Sequence, residues 1–226
     1  MPEIFAHRGL HVLERENTLA AFRAAKELGI DGVELDVRRS ADGVLVIHHD
    51  PSIDGDVIAH SASTSLPSYV PTLREALEEL EGVKVNVEIK NIQDPREPTY
   101  DESGDFARAV LAELDEGPWD RAGIISSFDL ATLEDLRVAD PKVRLGWLLW
   151  TQDVDEAAKL AHEREFDALH PHFSRVDAGT VRRARERHLE VNVWTVNQPA
   201  DITSMVEIGV NCIMSDDPAT AMQLAL

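Results

Sequence analysis

The chain has 226 residues, enough for one large domain with a substantial core. Its 42 acidic and 22 basic residues give a formal net charge of −20, which argues against duplex nucleic acid or an anionic membrane surface as the main partner. The single cysteine, Cys212, excludes an intrachain disulfide and fits a reducing compartment. Because the sequence contains neither a signal peptide nor an apolar run long enough to span a membrane, we expect a soluble cytoplasmic protein.

Strand patterns alternate with helix patterns from one end of the chain to the other. Short apolar runs predict eight strands, at residues 4–6, 33–37, 83–89, 123–126, 143–149, 168–169, 191–196 and 211–214. The intervening segments predict helices at residues 18–28, from 71 onward, and at 106–114, 130–138, 154–163, 176–188, 200–208 and 218–224. This alternation implies a parallel sheet, and eight such units match the single-domain (β/α)₈ TIM barrel of roughly 250 residues. A doubly wound open sheet is the alternative, although no glycine-rich nucleotide fingerprint follows the first strand.

Two polar stretches interrupt the alternation. Residues 51–71, after the second strand, are rich in serine and broken by proline and glycine, and residues 91–103, after the third strand, are polar and contain prolines. Both are predicted to be short excursions with little regular structure. Before the first excursion, Asp42-Gly43 predicts a turn, and the apolar run 44–47 is predicted to extend the second strand towards His48 and His49.

Polar side chains recur where the predicted strands end. In a TIM barrel the active site lies at the C-terminal ends of the strands, so we expect closure of the barrel to bring these side chains to one rim. They are His7 and Arg8, Glu34 and Asp36, Glu88 and Lys90, Ser126 and Ser127, His170 and His172, Asn197, and Ser215 and Asp216.

Three of these residues are carboxylates from two neighbouring strands. Glu34 and Asp36 are two residues apart in a strand and therefore point to the same face, and Glu88 ends the third strand. Left unpaired at a barrel mouth, they would repel one another and raise at least one pKa. A divalent cation removes this repulsion, and ligation by oxygen alone favours Mg²⁺ or Ca²⁺ over zinc. The alternative is a buried network of these acids with the basic residues Lys90, Arg8 or Arg38.

Cations and histidines accompany the acids. Arg8 and Lys90 could together hold a phosphate, or each could form an ordinary ion pair with a rim acid. His7 and His49 titrate near neutral pH when unperturbed, and two such groups on either side of a phosphorus atom can act as base and acid. A lone histidine is more often a structural hydrogen-bonding residue, but convergence with acids and cations favours catalysis. Surface or structural roles are predicted for His11, His48, His60, His162 and His188.

Two aromatic residues also fall at strand ends. Trp194 lies in the last part of the seventh strand pattern and Phe128 follows the fourth. Both could wall an apolar part of the site, although aromatic residues in such positions belong to the core at least as often.

The chain resembles the glycerophosphodiester phosphodiesterase family in an ordered set of short motifs. The matching residues are His7-Arg8-Gly9, Glu16-Asn17-Thr18, Glu34-Leu35-Asp36-Val37, His49-Asp50, Pro71-Thr72-Leu73, Glu88-Ile89-Lys90, Trp194-Thr195-Val196-Asn197 and Ser215-Asp216-Asp217-Pro218. Several motifs are weak individually, but as an ordered set they span essentially the whole chain and are highly specific. The resemblance implies one catalytic TIM-barrel domain over residues 1–226 that hydrolyses glycerophosphodiesters to glycerol 3-phosphate and an alcohol.

The same resemblance implies roles for individual residues, and these agree with the residue chemistry above. The implied roles are metal binding by Glu34, Asp36 and Glu88, acid–base catalysis by His7 and His49, phosphate binding by Arg8 and Lys90, and lining of the site by Trp194. One divalent cation, Mg²⁺ or Ca²⁺, is the expected cofactor. A small glycerophosphodiester is the expected partner, without nucleic acid or stable membrane insertion, and the oligomeric state is left open.

The sequence departs from the family pattern after Asp50. Many members continue with a leucine and an Arg-Thr-Thr segment in a longer insertion, whereas residues 51–58 contain no arginine here. The brief excursion suggests an open site that tolerates varied head groups. Three other functions remain open: a phospholipase C-like lyase that forms a cyclic phosphate, a lysophospholipase D, and a non-catalytic glycerophosphodiester-binding protein.

Overall fold

The computed structural model of the protein describes residues 1–94, 97–119 and 122–226. The strands in chain order are β1 Glu3–His7, β2 Gly32–Arg39, β3 Leu45–Ile47, β4 Ser52–Ile53, β5 Asp56–Val57, β6 Lys84–Ile89, β7 Ile124–Ser127, β8 Leu145–Leu149, β9 Ala168–Pro171, β10 Glu190–Val193 and β11 Cys212–Ser215. The α-helices are α1 Leu19–Leu28, α2 Leu73–Glu79, α3 Asp105–Glu116, α4 Leu130–Ala139, α5 Val154–Glu163, α6 Ala178–Arg185, α7 Pro199–Ile208 and α8 Pro218–Leu224. None of the helices within these described ranges is long and apolar enough to cross a bilayer.

Eight parallel strands form a closed barrel. Strand β1 pairs with β2 on one side and with β11 on the other, and β6 to β11 complete the circle in chain order. One helix follows each barrel strand before the next begins. The predicted (β/α)₈ TIM barrel is therefore confirmed, and the open-sheet alternative is wrong because β1 joins both ends of the sheet.

The segments after β2 and β6 differ in how much regular structure they contain. Residues 44–47 do not prolong β2, because the chain reverses at Gly43, which has a φ of 83°, and β3 pairs antiparallel with β2. In the excursion 51–71, β4 and β5 form a small hairpin that is followed by two 3₁₀ turns. The described residues of the second excursion, 91–103, form no helix or strand, as predicted; residues 95 and 96 of this excursion lie outside the described residues.

Helix capping sets where the chain leaves the barrel rim. The Thr18 side chain accepts a hydrogen bond from the backbone of the first turn of α1, and Gly29 ends that helix with a φ of 78°. Asp129 caps α4 in the same way, and Thr72 forms a reciprocal capping box with Glu75 at the start of α2. Because the N-terminus of each helix follows a strand, these caps determine how short the loops around the mouth are.

The apolar core lies between the barrel and the helices. Val33, Leu35 and Val37 of β2 are fully buried in this layer together with apolar residues of α1. Successive side chains of a strand point to opposite faces, so the same strand directs Glu34 and Asp36 towards the other face. Burial of the aliphatic residues therefore forces both acids into the barrel.

The barrel also contains a buried, neutral histidine. Nδ2 of Asn192 on β10 lies 3.1 Å from Nε2 of His170 on β9, so the two buried side chains share a hydrogen bond. The ring occupies the space that a side chain at Gly146 would take. Burial, assisted by the charge of Arg144, lowers the pKa of His170 to about 3. His170 is therefore a structural group, uncharged at neutral pH.

Acid should destabilise the fold through His170. The pKa of His170 is lower in the folded state than the unfolded value of about 6.5, so its contribution to stability is complete above that pH and is lost as the pH falls towards 3. In His170→Gln, the glutamine amide keeps a hydrogen-bonding group for Asn192 but does not titrate. Between pH 6.5 and 4.5, wild type should lose about 2–3 kcal/mol more unfolding free energy than the variant, at about 1.4 kcal/mol per pH unit.

Urea unfolding at several pH values measures this difference. The exposed His162 provides the matched control, because His162→Gln should follow the wild-type pH dependence. Parallel curves for wild type and His170→Gln would contradict the assignment of a buried neutral imidazole.

Candidate active site

The strand register brings charged residues of β1, β2 and β6 together at the barrel mouth. In the parallel ladders His7 lies opposite Glu34, and Asp36 lies opposite Glu88. The side chains of these residues come from adjacent strands, whose relative positions are fixed by backbone hydrogen bonds. The constellation is therefore built on rigid elements rather than on loops.

Glu34, Asp36 and Glu88 form a buried acid cluster. Their exposed fractions are 2%, 0% and 7%, and one oxygen from each lies within 4.8 Å of the others. The Oε1 atom of Glu34 is buried without a hydrogen-bond partner among the described residues, although buried polar atoms normally have one. Three converging carboxylates with an unsatisfied oxygen fit a hard, oxygen-liganded cation.

Lys90 and Arg8 partly neutralise the acid cluster. Nζ of Lys90 lies 2.9 Å from Oδ1 of Asp36 and 2.6 Å from Oε1 of Glu88. Nε of Arg8 lies 3.3 Å from Oδ2 of Asp36, and its guanidinium also pairs with Glu16. Both cations are thus in ion pairs with rim acids, the structural alternative considered from the sequence. Arg38, by contrast, pairs with Glu97 and donates to the carbonyl oxygen of His49.

The cations are shared unequally among the acids. Burial by itself raises the pKa of Asp36, but the charges of Lys90 and Arg8 outweigh it and hold this pKa well below its usual range. Burial raises the pKa of Glu34 well above its usual range, and repulsion from Asp36 and Glu88 adds to the shift. Glu34 is therefore the carboxylate whose charge the surrounding side chains compensate least.

The two adjacent histidines have separate environments. His49 Nδ1 lies 2.8 Å from Oδ1 of Asp50, while the His48 ring bonds to the backbone carbonyl of Asp50 at 2.9 Å. Burial, followed by the charge of Lys90, lowers the pKa of His49. His49 thus shares the electrostatic field of the acid cluster, whereas no comparable contact is described for His48.

His7 belongs to a hydrogen-bonded group with Asp216 and His11 that the sequence did not predict. Oδ1 of Asp216 lies 2.6 Å from Nδ1 of His7 and 2.9 Å from Nε2 of His11. The other ring nitrogen of His7, Nε2, lies 3.9 Å from Oε2 of Glu34. His11, predicted to be a surface or structural residue, is therefore adjacent to the site. The sequence signals for Asp216 were its position after the eighth strand and its place in the Ser215-Asp216-Asp217-Pro218 motif, and neither indicated a contact with His7.

Aromatic residues form another part of the rim. Trp194 and Phe128 meet edge to face with ring centroids 5.6 Å apart, and the Trp150 ring stacks on Trp194 at 5.5 Å. Trp194 is held in place by a 2.6 Å hydrogen bond from Nε1 to the carbonyl oxygen of His170. Trp150 is 64% exposed. The two predicted aromatic residues thus lie together, and an exposed indole extends their surface.

A cavity of about 430 Å³ adjoins the acid cluster through Lys90. Arg38 and Arg39 line it on one side and Tyr100 on another, while Pro51 and Ile58 of the first excursion complete the wall. The segment that departs from the family pattern therefore contributes Pro51 and Ile58 to this cavity, and the positive groups are Arg38 and Arg39 of β2 and Lys90, which follows β6.

The rim of this TIM barrel combines a buried acid cluster with cations and histidines. Together these groups favour an enzyme that acts on phosphate esters. The model of the glycerophosphoryl diester phosphodiesterase family matches residues 7–220, and the chain belongs to this family. A glycerophosphodiester phosphodiesterase from Caldanaerobacter subterraneus subsp. tengcongensis is 31% identical over 98% of this chain and 96% of that protein. The predicted family and enzyme class are confirmed.

Solved structures agree with this membership. A phosphodiesterase from Oleispira antarctica, in complex with the product sn-glycerol-3-phosphate, matches with a TM-score of 0.86 and 25% identity over 99% of this chain and 96% of that one. A glycerophosphodiester phosphodiesterase from Thermotoga maritima matches with a TM-score of 0.84 and 25% identity, covering 99% of this chain and 98% of that one.

The poorly compensated charge of Glu34 predicts that Glu34→Gln is more stable than wild type when chelator keeps both proteins free of metal. The glutamine oxygen can keep the 3.1 Å bond that the backbone nitrogen of Arg8 donates to Glu34 Oε2, while its amide can donate to the neighbouring carboxylates. Metal-free Glu34→Gln should therefore be more stable than metal-free wild type by about 1–3 kcal/mol at pH 8. Because the pKa of Glu34 is raised by folding, the advantage should disappear as the pH falls to about 4.

Chemical denaturation in chelator at pH 8 and pH 4 measures this effect. Glu27→Gln, at an exposed position of α1, should change stability little at either pH. A Glu34→Gln variant less stable than wild type at pH 8 would show that the buried charge is compensated in the metal-free protein.

Proposed function

We propose that the protein is a metal-dependent phosphodiesterase that hydrolyses glycerophosphodiesters to glycerol 3-phosphate and an alcohol, with His7 and His49 as acid–base groups. The observation that carries the proposal is the buried cluster of Glu34, Asp36 and Glu88, in which Oε1 of Glu34 has no hydrogen-bond partner among the residues that the structure describes. Family membership and the product found in the Oleispira antarctica phosphodiesterase support the substrate class.

We propose that these three carboxylates hold one divalent cation, Mg²⁺ or Ca²⁺. Both are hard ions that take oxygen ligands, and the cluster offers carboxylate oxygens only. When bound, the ion supplies Lewis-acid stabilisation of charge on a phosphate oxygen. The chain's own contribution is to keep Asp36 ionised through Lys90 and Arg8 and to leave Glu34 Oε1 available.

Arg8 and Lys90 are the proposed phosphate-binding side chains. Both lie against the acid cluster, so they provide positive charge where an anionic substrate would bind, despite the net charge of −20. Cations in such positions stabilise the extra negative charge of the transition state. We propose that Trp194 and Phe128 line the same site, with their ring faces and edges available to carbon atoms of the substrate.

His7 is the proposed base and His49 the proposed acid. Nε2 of His7 faces the acid cluster and takes the proton of the attacking water or glycerol hydroxyl, because Nδ1 is occupied by Asp216. His49 gives a proton to the departing alkoxide as the P–O bond breaks. The lowered pKa of His49 makes it a stronger donor, and the hydrogen bond to Asp50 together with the negative charge of the substrate favours its protonated form.

We also propose that residues 1–226 act as one catalytic domain. The location in the cytoplasm and the absence of nucleic acid as a partner remain predictions from composition and charge.

The decisive experiment uses the purified protein with glycerophosphocholine and glycerophosphoethanolamine, in chelator and after addition of Mg²⁺ or Ca²⁺. We expect glycerol 3-phosphate to form with metal and activity to fall at least 100-fold in chelator. Product analysis by ³¹P NMR identifies the reaction: a cyclic phosphate as the final product would indicate a lyase, and turnover of acylated substrates alone would indicate a lysophospholipase D. Binding without turnover would reject the enzymatic proposal.

Replacement of His49 tests the role of the general acid. His49→Ala should lower kcat for glycerophosphocholine by roughly 10²–10⁴, the usual contribution of a general acid or base. The loss should be much smaller for a p-nitrophenyl glycerophosphodiester, whose leaving group departs without a proton. His48→Ala is the matched control and should retain near-normal kcat, since its described contact is with a backbone carbonyl. Equal losses for both substrates would contradict the acid role.

A further inference from the structure

Asp216 connects two histidines and an amide in a network whose donors and acceptors can be assigned. Its Oδ1 lies 2.6 Å from Nδ1 of His7 and 2.9 Å from Nε2 of His11, and its Oδ2 lies 2.6 Å from Nδ2 of Asn197. The Asp216 side chain is 31% exposed, so most of its surface is covered by the protein. Each contact therefore constrains the protonation pattern of the group it touches.

The orientation of the Asn197 amide is fixed by its other contacts. Its Oδ1 accepts from the backbone nitrogen of Asp216 at 2.9 Å and from Oγ of Ser215 at 3.2 Å. A backbone N–H can only donate, so the atom facing it must be the amide oxygen. The Nδ2 group of Asn197 must consequently donate to Oδ2 of Asp216, and Oδ1 of Asp216 is left for the histidines.

The carboxylate in turn fixes the histidine rings. Burial alone raises the pKa of Asp216, but the hydrogen bonds from His11 and His7 outweigh it and hold this pKa well below its usual range. An ionised carboxylate only accepts, so Nδ1 of His7 and Nε2 of His11 must both carry protons. In the neutral ring of His7, Nε2 then carries the lone pair, and this atom faces Glu34 at 3.9 Å.

We propose that Asp216 is a positioning residue that holds His7 in the tautomer with its proton on Nδ1, so that Nε2 is free to take a proton. Asn197 and His11 hold the carboxylate in the required orientation. The inference rests on the proposed function insofar as His7 is the base, while the tautomer itself is a property of the protein without substrate. A metal held by His7, His11 and Asp216 is disfavoured, because ligands of one tetrahedral zinc ion lie roughly 3.3 Å apart at bond lengths of about 2.0 Å, farther than the 2.6 Å seen between His7 and Asp216.

The variant Asp216→Asn should force the wrong tautomer. Because Nδ2 of Asn197 needs an acceptor, the new amide must turn its oxygen towards Asn197 and its NH₂ towards the histidines. His7 must then accept at Nδ1 and carry its proton on Nε2, where it cannot act as a base. We expect kcat to fall by about 10³–10⁴, as for a comparable wrong-tautomer change in another hydrolase, with KM changed less than about threefold because Asp216 touches neither the acid cluster nor the proposed phosphate groups.

A second substitution should reverse this effect. In Asp216→Asn/Asn197→Asp, the carboxylate at 197 accepts from the NH₂ of the new amide and still accepts from the backbone nitrogen of residue 216 and from Ser215. The amide oxygen is then free to accept from both histidines, which restores the proton to Nδ1 of His7. The double variant should be at least about tenfold faster than Asp216→Asn. Asp217→Asn is the matched control: Asp217 caps α8 at Thr220, and asparagine caps equally well, so kcat should be unchanged.

Imidazole ¹⁵N chemical shifts of His7, measured without substrate, report the tautomer directly. We expect protonated Nδ1 in wild type and in the double variant, and protonated Nε2 in Asp216→Asn, with thermal unfolding showing that all three proteins are folded. The proposal is overturned if His7 has the same tautomer in wild type and Asp216→Asn, or if a folded Asp216→Asn keeps wild-type kcat. Lack of any wild-type phosphodiesterase activity would reject the proposed function but leave the tautomer measurement valid.

Discussion

An imbalance of buried charge governs the arrangement at the barrel mouth. Three carboxylates that are at most 7% exposed meet two cations there, in surroundings where charges interact far more strongly than in water. Lys90 and Arg8 both pair with Asp36, which leaves Glu34 with a raised pKa and with one oxygen that has no hydrogen-bond partner in the described part of the chain. The fold therefore leaves the negative charge of the buried Glu34 carboxylate poorly compensated. Under the proposed function, a bound cation supplies the missing positive charge, so that an anionic phosphate can approach although the whole protein is strongly acidic.

Closure of the barrel makes this arrangement possible. His7 and Asp216 are 209 positions apart in the chain, yet they meet because β1 pairs with β11. Pairing of β1 with β2 and of β2 with β6 then places His7 near Glu34 and Asp36 near Glu88. Arg8, immediately after β1, has a φ of 58°, uncommon for a residue with a side chain. In this conformation its backbone nitrogen donates to Glu34 while its guanidinium reaches Asp36.

The two histidines proposed as acid and base are supported by unequal partners. Asp216 is held by Asn197 and His11, contacts His7 and has a side chain that is 31% exposed. Asp50, the partner of His49, has a side chain that is 69% exposed and lies next to His49 in the sequence. A base that must keep one nitrogen unprotonated benefits from a rigid partner. An acid that must donate to a departing alkoxide benefits from a lowered pKa and freedom to adjust, which is the environment of His49.

Local pattern was sufficient to predict the barrel, because the alternation of apolar strands with capped helices is a property of adjacent residues. It was also sufficient to predict that Glu34 and Asp36 share a face, since that follows from strand geometry alone. The turn at Asp42-Gly43 was predicted from the sequence, but the antiparallel pairing of β3 with β2 was not.

The sequence by itself therefore determined the fold, the family and the residue types that converge at the rim. Only the tertiary structure decided which acid each cation pairs with and which groups hold the histidines. His11 lies among apolar neighbours without any local sign of its role, and its partner Asp216 is 205 positions away. Ion pairs and hydrogen bonds depend on separations of a few ångströms, and these are set by strand register and barrel closure rather than by spacing along the chain.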